Sequence, residues 1–298
     1  MINIQHISKS YGEVKAVSDI SLEIQMGELF GLIGPDGAGK TTLMRILMTL
    51  LVQDEGTATM NGLDVVKDYK KIRRMLGYMP GRFSLYQDLT VEENLNFFAT
   101  VFQTTVHENY DLIRDIYIQI EPFKDRKAGK LSGGMKQKLA LSCALIHKPE
   151  ILVLDEPTTG VDAVSRKEFW EMLKKLQQKG ITILVSTPYM DEAMLCGRVA
   201  LMQKGKVLDV DTPQKLVENY NRKLYAIRAK DMHRLIQDLR AWEKTDSAYA
   251  FGQYLHVTGK EDDVEATEFE NFLLKKNHEM LEVHDINPGI EDVFMAMM

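Results

Sequence analysis

The stretch GPDGAGKTT, residues 34–42, has the glycine, lysine and threonine spacing of a loop that binds phosphate. An apolar run, ELFGLIG, leads into it and a helical pattern, TTLMRILMTLL, follows, which is the context such a loop requires. Glycines are needed because successive backbone N–H groups must curl around an oxyanion at a helix N-terminus. Lys40 is expected to reach the β and γ phosphates of a nucleotide, and Thr41 to offer its hydroxyl to Mg²⁺. The alternative is a Gly-rich turn that caps a helix, but chance gives this spacing in only about one chain in a hundred.

Two acidic residues, Asp155 and Glu156, follow the apolar run ILVL at the end of a predicted buried strand. One carboxylate there can hold the magnesium shell, and its neighbour can polarise an attacking water. Seen alone, two adjacent acids after a strand are more often loop residues or helix caps. Because they share a predicted sheet with a phosphate loop, the catalytic interpretation is favoured.

A third candidate site is LSGGMKQ, residues 131–137, at the start of the helical pattern MKQKLALSCALI. Ser132 is a good N-cap, and the two glycines after it suit a tight entry turn. A hydroxyl with bare amides at a helix N-terminus is also an anion site. One nucleotide does not need two such sites on a single chain, so a site shared between two chains is indicated.

The elements that position these residues alternate between strand and helix for the first 220 residues. INIQHI and VSDISLEI alternate with period two, whereas ILVLD and ITILVST are buried apolar strands. Residues 80–150 read as an inserted helical block, in which Thr90 and Glu93 form a predicted capping box. Ser165 and Glu168 predict a second capping box, which opens a helix that ends at Gly180. Parallel strands joined by helices predict an α/β sheet that is covered on both faces.

The pattern changes near NYNRK, residues 219–223, after which a small α+β unit is predicted. Its strands are expected at LYAIRA, YAFGQYLHVTG and EMLEVHDI, and its helices at MHRLIQDLRAW, VEATEFENFLLKK and GIEDVFMAMM. The predicted domains are therefore residues 1–220 and residues 221–298.

Composition sets limits on function. The 298 residues are 45% hydrophobic and 27% charged with a net charge of -6, which is typical of a soluble globular chain and gives no support to nucleic-acid binding. Two cysteines, Cys143 and Cys196, are too few for a disulfide framework. The first residues lack a signal peptide's apolar core, and no apolar run reaches the roughly 18 residues of a membrane span. We therefore expect a chain that does not enter a membrane by itself.

Together, GPDGAGKTT, LSGGMKQ, ILVLDEP and TGVDAVSR resemble, in order and spacing, the motifs of ABC transporter ATPases over about residues 1–220. The resemblance implies a P-loop NTPase fold with an inserted helical subdomain and an antiparallel N-terminal β subdomain. It also implies ATP and Mg²⁺ as cofactors, and a second ABC ATPase domain that shares two sandwiched ATP molecules, in a homodimer or a heterodimer. The implied partners are integral membrane permease subunits, at the cytoplasmic face of the membrane, and no nucleic acid. The C-terminal unit resembles the accessory domain of exporter-type and drug-resistance-type members.

The resemblance also assigns roles to residues. Glu156 is the expected catalytic residue, Thr41 and Asp155 the expected metal-binding residues, and Asp162 lies in the loop that crosses the dimer interface. The expected ATP-binding residues are Tyr11, which would stack on adenine, and Gly34, Pro35, Asp36, Gly37, Ala38, Gly39, Lys40, Thr41 and Thr42. The residues expected to contact the ATP of the partner subunit are Ser132, Gly133, Gly134 and Met135.

Two positions depart from the family pattern. Gly81 stands where the family usually has a glutamine that touches magnesium and water, and Pro188 where it usually has a histidine that donates to the γ-phosphate. Glycine and proline offer no side-chain donor. One hypothesis is that ATP binding survives while hydrolysis is slowed, since losing one transition-state donor costs about 100-fold to 1000-fold in rate. The other is that this branch hydrolyses ATP through Glu156 without the histidine.

Three classes of function are compatible with different parts of this pattern. The leading interpretation is an ATPase that drives an exporter; the second is a hydrolysis-poor, ATP-gated regulatory partner in a heterodimeric system. Soluble ABC proteins of translation or DNA repair are disfavoured, because they carry paired ATPase cassettes or long coiled-coil insertions, and this sequence shows neither. Phosphate release from the purified chain separates the first two interpretations.

Overall fold

In the computed structural model, which describes residues 1–261 and 264–298, the chain divides into two units, Met1–Pro213 and Gln214–Met298. The division precedes residue 220, because most of the short helix Pro213–Glu218 belongs to the second unit. In chain order, the strands of the first unit are β1 (Ile2–Tyr11), β2 (Val14–Ile24), β3 (Leu29–Ile33), β4 (Glu55–Met60), β5 (Leu63–Asp64), β6 (Leu76–Met79), β7 (Ile151–Asp155), β8 (Thr182–Thr187), β9 (Arg198–Gln203) and β10 (Lys206–Asp211).

The helices of the first unit fill the intervals between these strands. They are α1 (Lys40–Leu47), α2 (Tyr69–Met75), α3 (Val91–Val101), α4 (Tyr110–Tyr117), α5 (Gly133–Leu145), α6 (Ala163–Gln178) and α7 (Met190–Ala193), with short 3-10 helices at Glu121–Phe123 and Ala128–Lys130. None of the helices in residues 1–261 and 264–298 has the length and apolar character that crossing a bilayer requires.

The central sheet has the strand order β10-β9-β3-β8-β7-β6, and only its edge strand β10 runs antiparallel to its neighbour. Every residue of β3, β7 and β8 is buried, because helices and a second sheet cover both faces of a parallel sheet. The carboxyl ends of these strands therefore meet at one edge, where ligands of open α/β sheets bind. The predicted fold class is confirmed.

The second sheet of this unit is antiparallel, with the order β2-β1-β4-β5, which confirms the expected N-terminal β subdomain. Its strands bury alternate residues, as the period-two sequence pattern predicted, and Ile2, Ile4 and Ile20 join α1 residues Leu43 and Leu47 in one core.

Residues 80–150 form the predicted helical block between β6 and β7. The predicted capping box at its first long helix is confirmed: the Thr90 hydroxyl accepts from the Glu93 amide at 3.1 Å, and the Glu93 carboxylate from the Thr90 amide at 2.7 Å. Two orphan amides at the start of α3 are thereby satisfied.

The predicted capping box at Ser165 and Glu168 is wrong. Helix α6 begins at Ala163, and its N-cap is Asp162, whose carboxylate accepts from the Ser165 amide at 3.0 Å. Aspartate and serine are equally good N-caps, so a sequence with both within three residues does not fix the start. The helix ends at Gln178, shortly before Gly180, which adopts the left-handed conformation with φ +90.

The second unit is the small α+β domain that the sequence predicted, with one strand more. After α8 (Pro213–Glu218), it contains β11 (Leu224–Arg228), α9 (Met232–Ala241), β12 (Thr245–Phe251), β13 (Tyr254–Gly259), α10 (Ala266–Lys275), β14 (Glu282–Ile286) and α11 (Ile290–Ala296). YAFGQYLHVTG, predicted as a single strand, is instead an antiparallel hairpin, because Gly252 takes φ +57 and turns the chain. The sheet order is β12-β13-β11-β14, all antiparallel, and buried Tyr225 and Phe269 anchor its core.

Candidate functional site

The loop between β3 and α1 has the shape of an anion cradle. Gly37 and Gly39 take φ values of +80 and +100, in the left-handed region that favours glycine. A Cβ atom would lie 2.1 Å from the Met202 carbonyl oxygen at Gly34 and 2.4 Å from the Ala16 carbonyl oxygen at Gly39. At Gly37 it would meet nothing within 4 Å. The loop is therefore packed tightly at both ends and open in the middle.

The remaining loop residues divide by burial. Pro35, Asp36 and Gly37 are exposed, whereas Ala38 is buried and donates its amide to the Pro35 carbonyl at 3.1 Å. Thr42, in the first turn of α1, is half-buried.

Lys40 is the cation of this loop, and only 3% of it is exposed. Its ammonium donates to the carbonyl oxygens of Gly34 at 2.7 Å and Pro35 at 3.1 Å, and lies 3.3 Å from Glu156 Oε1. A buried ammonium is tolerated only with such partners. The positive charge is thus held at the N-terminus of α1, beside the open part of the loop.

Asp155 lies at the end of β7, directly beneath the phosphate loop. Its Oδ1 accepts from the Thr41 hydroxyl at 3.1 Å and from the Ser186 hydroxyl at 2.6 Å. A hydroxyl and a carboxylate side by side are the oxygen ligands that Mg²⁺ takes alongside phosphate. The structure therefore brings together the two residues that the sequence assigned to the metal.

Glu156 has φ +49, a left-handed conformation that is uncommon for a residue with a side chain. Its amide donates to the carbonyl oxygen of Ser186 at 3.1 Å and to the Ser186 hydroxyl at 3.0 Å. Strained conformations of this kind persist where the surrounding structure fixes them, and they cluster at functional sites. In this conformation Oε1 of the carboxylate lies 3.3 Å from Lys40 Nζ.

The two positions that depart from the expected pattern lie at the same edge of the sheet. Pro188 follows the last residue of β8, Thr187, whose carbonyl oxygen accepts from the Gly34 amide at 3.3 Å. Gly81 follows β6, and a Cβ atom there would lie 2.8 Å from the Asp155 carbonyl oxygen. Position 81 therefore has no room for a side chain unless the backbone shifts.

The start of α5 is accessible to solvent at Ser132 and Gly133. Ser132 is the N-cap, and its hydroxyl accepts from the Met135 amide at 3.3 Å. Ser132 and Gly133 are exposed and Met135 is half-buried, whereas a Cβ atom at Gly134 would lie 2.6 Å from Ser165 Oγ. The helix start is thus held against α6 while its first two residues stay accessible.

Asp162 and Tyr11 complete the predicted set. Asp162 is exposed, and its hydrogen bonds with Ser165 lower the pKa of its carboxyl below the ordinary value. Tyr11 lies at the end of β1 with 48% of its surface exposed, which leaves its ring free to stack on a planar ligand.

Comparison with known proteins identifies the family. Residues 17–159 match the family model described as ABC transporter. The chain is 39% identical over 221 residues to the Nod factor export ATP-binding protein I of Burkholderia thailandensis, a match that covers 73% of each protein. This chain belongs to the ATP-binding proteins of ABC transporters.

Further relatives of this ABC protein support the assignment. The probable multidrug ABC transporter ATP-binding protein YbhF of Escherichia coli K12 is 47% identical over 205 residues. That match covers 68% of this chain but only 36% of YbhF, so the chain spans about a third of that relative's length.

Solved structures agree on the fold. The dimeric ATP-binding cassette MJ0796 in a post-hydrolysis state, bound to ADP and Pi, is 27% identical with a TM-score of 0.64 over 71% of this chain and 98% of that one. CbiO1 from Clostridium perfringens is 25% identical, with a TM-score of 0.66 over 73% of this chain and 90% of that one.

ATP and Mg²⁺ fit the site of this ABC protein. The open middle of the loop, the buried Lys40 ammonium and the start of α1 suit phosphates, and the Thr41 hydroxyl with the Asp155 carboxylate suits the metal.

Sequence reasoning missed Ser186, which contacts both acids, and the buried Glu192, which accepts from two threonines near the site. Ser186 follows the apolar run ILV at the end of β8, and it pairs with Asp155 across the sheet. A polar residue at the end of a buried strand beside the phosphate loop was the signal that could have found it.

Proposed function

We propose that this chain binds Mg-ATP at the loop between β3 and α1 and hydrolyses it, as the ATP-binding subunit that powers export through separate integral membrane permease subunits. The observation that carries this proposal is the meeting of Lys40 with Glu156, at 3.3 Å, and of Thr41 with Asp155, at 3.1 Å. These four groups match the lysine, the two metal ligands and the residue that activates water in phosphate-loop NTPases. Export as the direction of transport is supported by the relatives, one a Nod factor export protein and the other a probable multidrug transporter protein.

In the proposed reaction, each part of the site has one task. Bound Mg-ATP supplies the phosphoanhydride bond, with the metal neutralising charge on the phosphates. The amides of residues 37–41 and the Lys40 ammonium bind and orient the phosphate chain, and Thr41 with Asp155 holds the metal. Glu156 accepts a proton from the attacking water, and Tyr11 stacks on the base.

A second ATPase domain completes the proposed site. The N-terminus of α5, Ser132–Met135, of which Ser132 and Gly133 are exposed, suits the γ-phosphate of an ATP held by a partner subunit, and Asp162 would lie at that interface. The dimeric state of MJ0796 supports a paired arrangement. Both a homodimer and a heterodimer meet this geometry.

A groove of about 460 Å³ between the helical block and the central sheet suits a permease segment. Its walls are mostly apolar, with one side formed by α3 and α5 and the other by the end of β6, next to Gly81; they include Met48, Tyr78, Pro80, Phe98, Phe102 and Ala144. Apolar grooves between helices accept an amphipathic helix from a partner. We place this face towards the membrane, at its cytoplasmic side, with the second unit as an accessory domain that modulates dimerisation.

The absence of a side-chain donor at Gly81 and Pro188 supports a second candidate, a regulatory partner that closes on ATP and rarely turns over. Two measurements on the intact chain separate the candidates. A working exporter subunit releases phosphate from Mg-ATP above background and copurifies with an integral membrane protein. Copurification without phosphate release would favour the regulatory partner, and recovery with ribosomes or DNA would contradict both.

Replacing Pro188 by histidine is expected to raise ATP turnover by about 10-fold or more, because a donor to the γ-phosphate is added at the end of β8. Pro188→Ala is the control, since it removes the proline without adding a donor. Turnover is measured as phosphate release at saturating Mg-ATP. Equal rates for the wild type and Pro188→His would show that Glu156 works without an imidazole here.

Gly81→Gln is expected not to raise turnover. A Cβ atom at position 81 lies 2.8 Å from the Asp155 carbonyl oxygen, so the added side chain displaces the loop or the metal-binding strand end. The same clash should lower the free energy of unfolding by about 1–3 kcal/mol. Gly81→Ala carries the clash without the amide, and a rate gain in Gly81→Gln alone would contradict the expectation.

A further inference from the structure

Glu192 joins three chain segments at the edge of the nucleotide site. It lies in α7 with 1% of its surface exposed. Its Oε2 accepts from the hydroxyls of Thr158 at 3.1 Å and Thr187 at 2.5 Å, and its Oε1 accepts from Arg166 Nε at 3.2 Å. Each partner comes from a different element, so one buried carboxylate fixes their relative positions.

Each of the three segments borders a residue with a proposed role. Thr158 lies in the turn that follows Glu156, and Thr187 precedes Pro188. Arg166 lies in the first turns of α6, which Asp162 opens. The Glu192 carboxylate therefore connects the segments that carry Glu156, Pro188 and Asp162.

Arg166, the ion-pair partner of Glu192, also contacts two residues that follow Pro188 in the chain. The Arg166 guanidinium bonds the exposed Asp191 at 2.9 Å and lies 4.5 Å from the centre of the Tyr189 ring. The Tyr189 amide donates to the Thr187 hydroxyl at 3.1 Å. Both neighbours of Pro188 are thus held by the same cluster.

The strained backbone of Glu156 needs support on both sides. Ser186 holds its amide, and on the other side the Thr159 amide donates to the Glu156 carbonyl at 3.2 Å within the turn that Thr158 anchors. We propose that Glu192 is a positioning residue that keeps the Glu156 carboxylate in its productive orientation through Thr158. The inference rests on the proposed function, in which Glu156 accepts the proton of the attacking water.

Glu192→Gln tests this role while keeping the shape of the side chain. We expect kcat for ATP hydrolysis to fall by about 10-fold to 100-fold, because small misplacements of a catalytic group are costly, with KM for ATP changed by less than about 2-fold. The phosphate loop is untouched, so nucleotide binding should be retained. Asp191→Asn, which removes only the 70% exposed partner of Arg166, should stay within about 2-fold of the wild type.

Thr158→Val is the second variant, and it leaves the ion pair of Glu192 with Arg166 intact. It should lower kcat in the same direction, and combining it with Glu192→Gln should give less than the product of the two single effects, because both variants disturb the same contact between residues 158 and 192. Full multiplication of the effects, or wild-type kcat in both single variants, would overturn the proposal.

Hydrogen exchange on the full chain without nucleotide tests, independently of turnover, whether Glu192 supports the turn that follows Glu156. Glu192→Gln should raise amide exchange about 10-fold in residues 158–162 and 189–190 and leave α1 unchanged. If the wild type released no more phosphate than Glu156→Gln, the proposed function would fail, yet this exchange pattern would still report on the support of the Glu156 turn. Unchanged exchange in residues 158–162 would overturn the positioning role even in an active enzyme.

Discussion

Replacing Lys40 by alanine is expected to weaken Mg-ATP binding by about 100-fold, because a buried charge-assisted contact with phosphate is worth about 1.5–3 kcal/mol per hydrogen bond. Lys40 is 3% exposed and already oriented by the carbonyl oxygens of Gly34 and Pro35, so little entropy is lost when phosphate replaces a carbonyl. ATP turnover by the Lys40→Ala protein at cellular ATP concentrations should therefore be lost. Titration calorimetry with Mg-ATP measures the affinity directly.

Lys71→Ala is the matched control for this change. It removes a lysine from α2 whose side chain is 71% exposed and forms an ion pair with Asp68, three residues earlier. Its affinity for Mg-ATP should equal that of the wild type. A Lys40→Ala protein that keeps its thermal stability and its full affinity would contradict the assignment of the loop as the phosphate site.

Replacing Glu156 by glutamine is expected to lower kcat by about 100-fold to 10,000-fold, the range for loss of a general base. Glutamine fills the same volume and can still contact Lys40, so Mg-ATP affinity should change little. The expected signature is a protein that binds Mg-ATP, pairs with its partner domain and does not release phosphate. Phosphate release and nucleotide titration are measured on the same preparation.

Glu150→Gln controls for the loss of a charge beside the same strand. Glu150 precedes β7 at the opposite end from Glu156, is exposed, and bonds the Asn61 amide at 2.7 Å. Its kcat should match that of the wild type. If Glu156→Gln kept more than half of the wild-type kcat, another group would be accepting the proton. Glu192 would then have no catalytic group to position.

The parts of the fold that the sequence predicted correctly are those encoded by neighbouring residues. The apolar runs of β3, β7 and β8 and the capping box at Thr90 each depend on a window of a few residues. Local rules failed where two local solutions competed. Asp162 and Ser165 are both good N-caps, and YAFGQYLHVTG suits a long strand as well as a hairpin until Gly252 turns the chain.

The candidate site shows the same division. The spacing from Gly34 to Thr41 predicted a phosphate loop because its glycines and lysine act within one turn of chain. The contact between Thr41 and Asp155 spans 114 residues, and the order of strands in the sheet creates it. Glu192 carries no such local signal, since an acid in an acidic helix start usually faces solvent.

The sequence by itself therefore predicted which residues bind phosphate and metal and, through the family resemblance, which two usual donors are absent, because these predictions depend on residue type and short spacing. Only the tertiary structure decided that position 81 has no space for a side chain, that Glu156 adopts a strained conformation, and that a buried carboxylate ties the segments around it. Those properties arise from backbone atoms and side chains brought together by the parallel pairing of β7 with β8 and by the docking of α6 and α7. Contacts between segments so far apart follow from the packing of the whole sheet, which no short stretch of residues specifies.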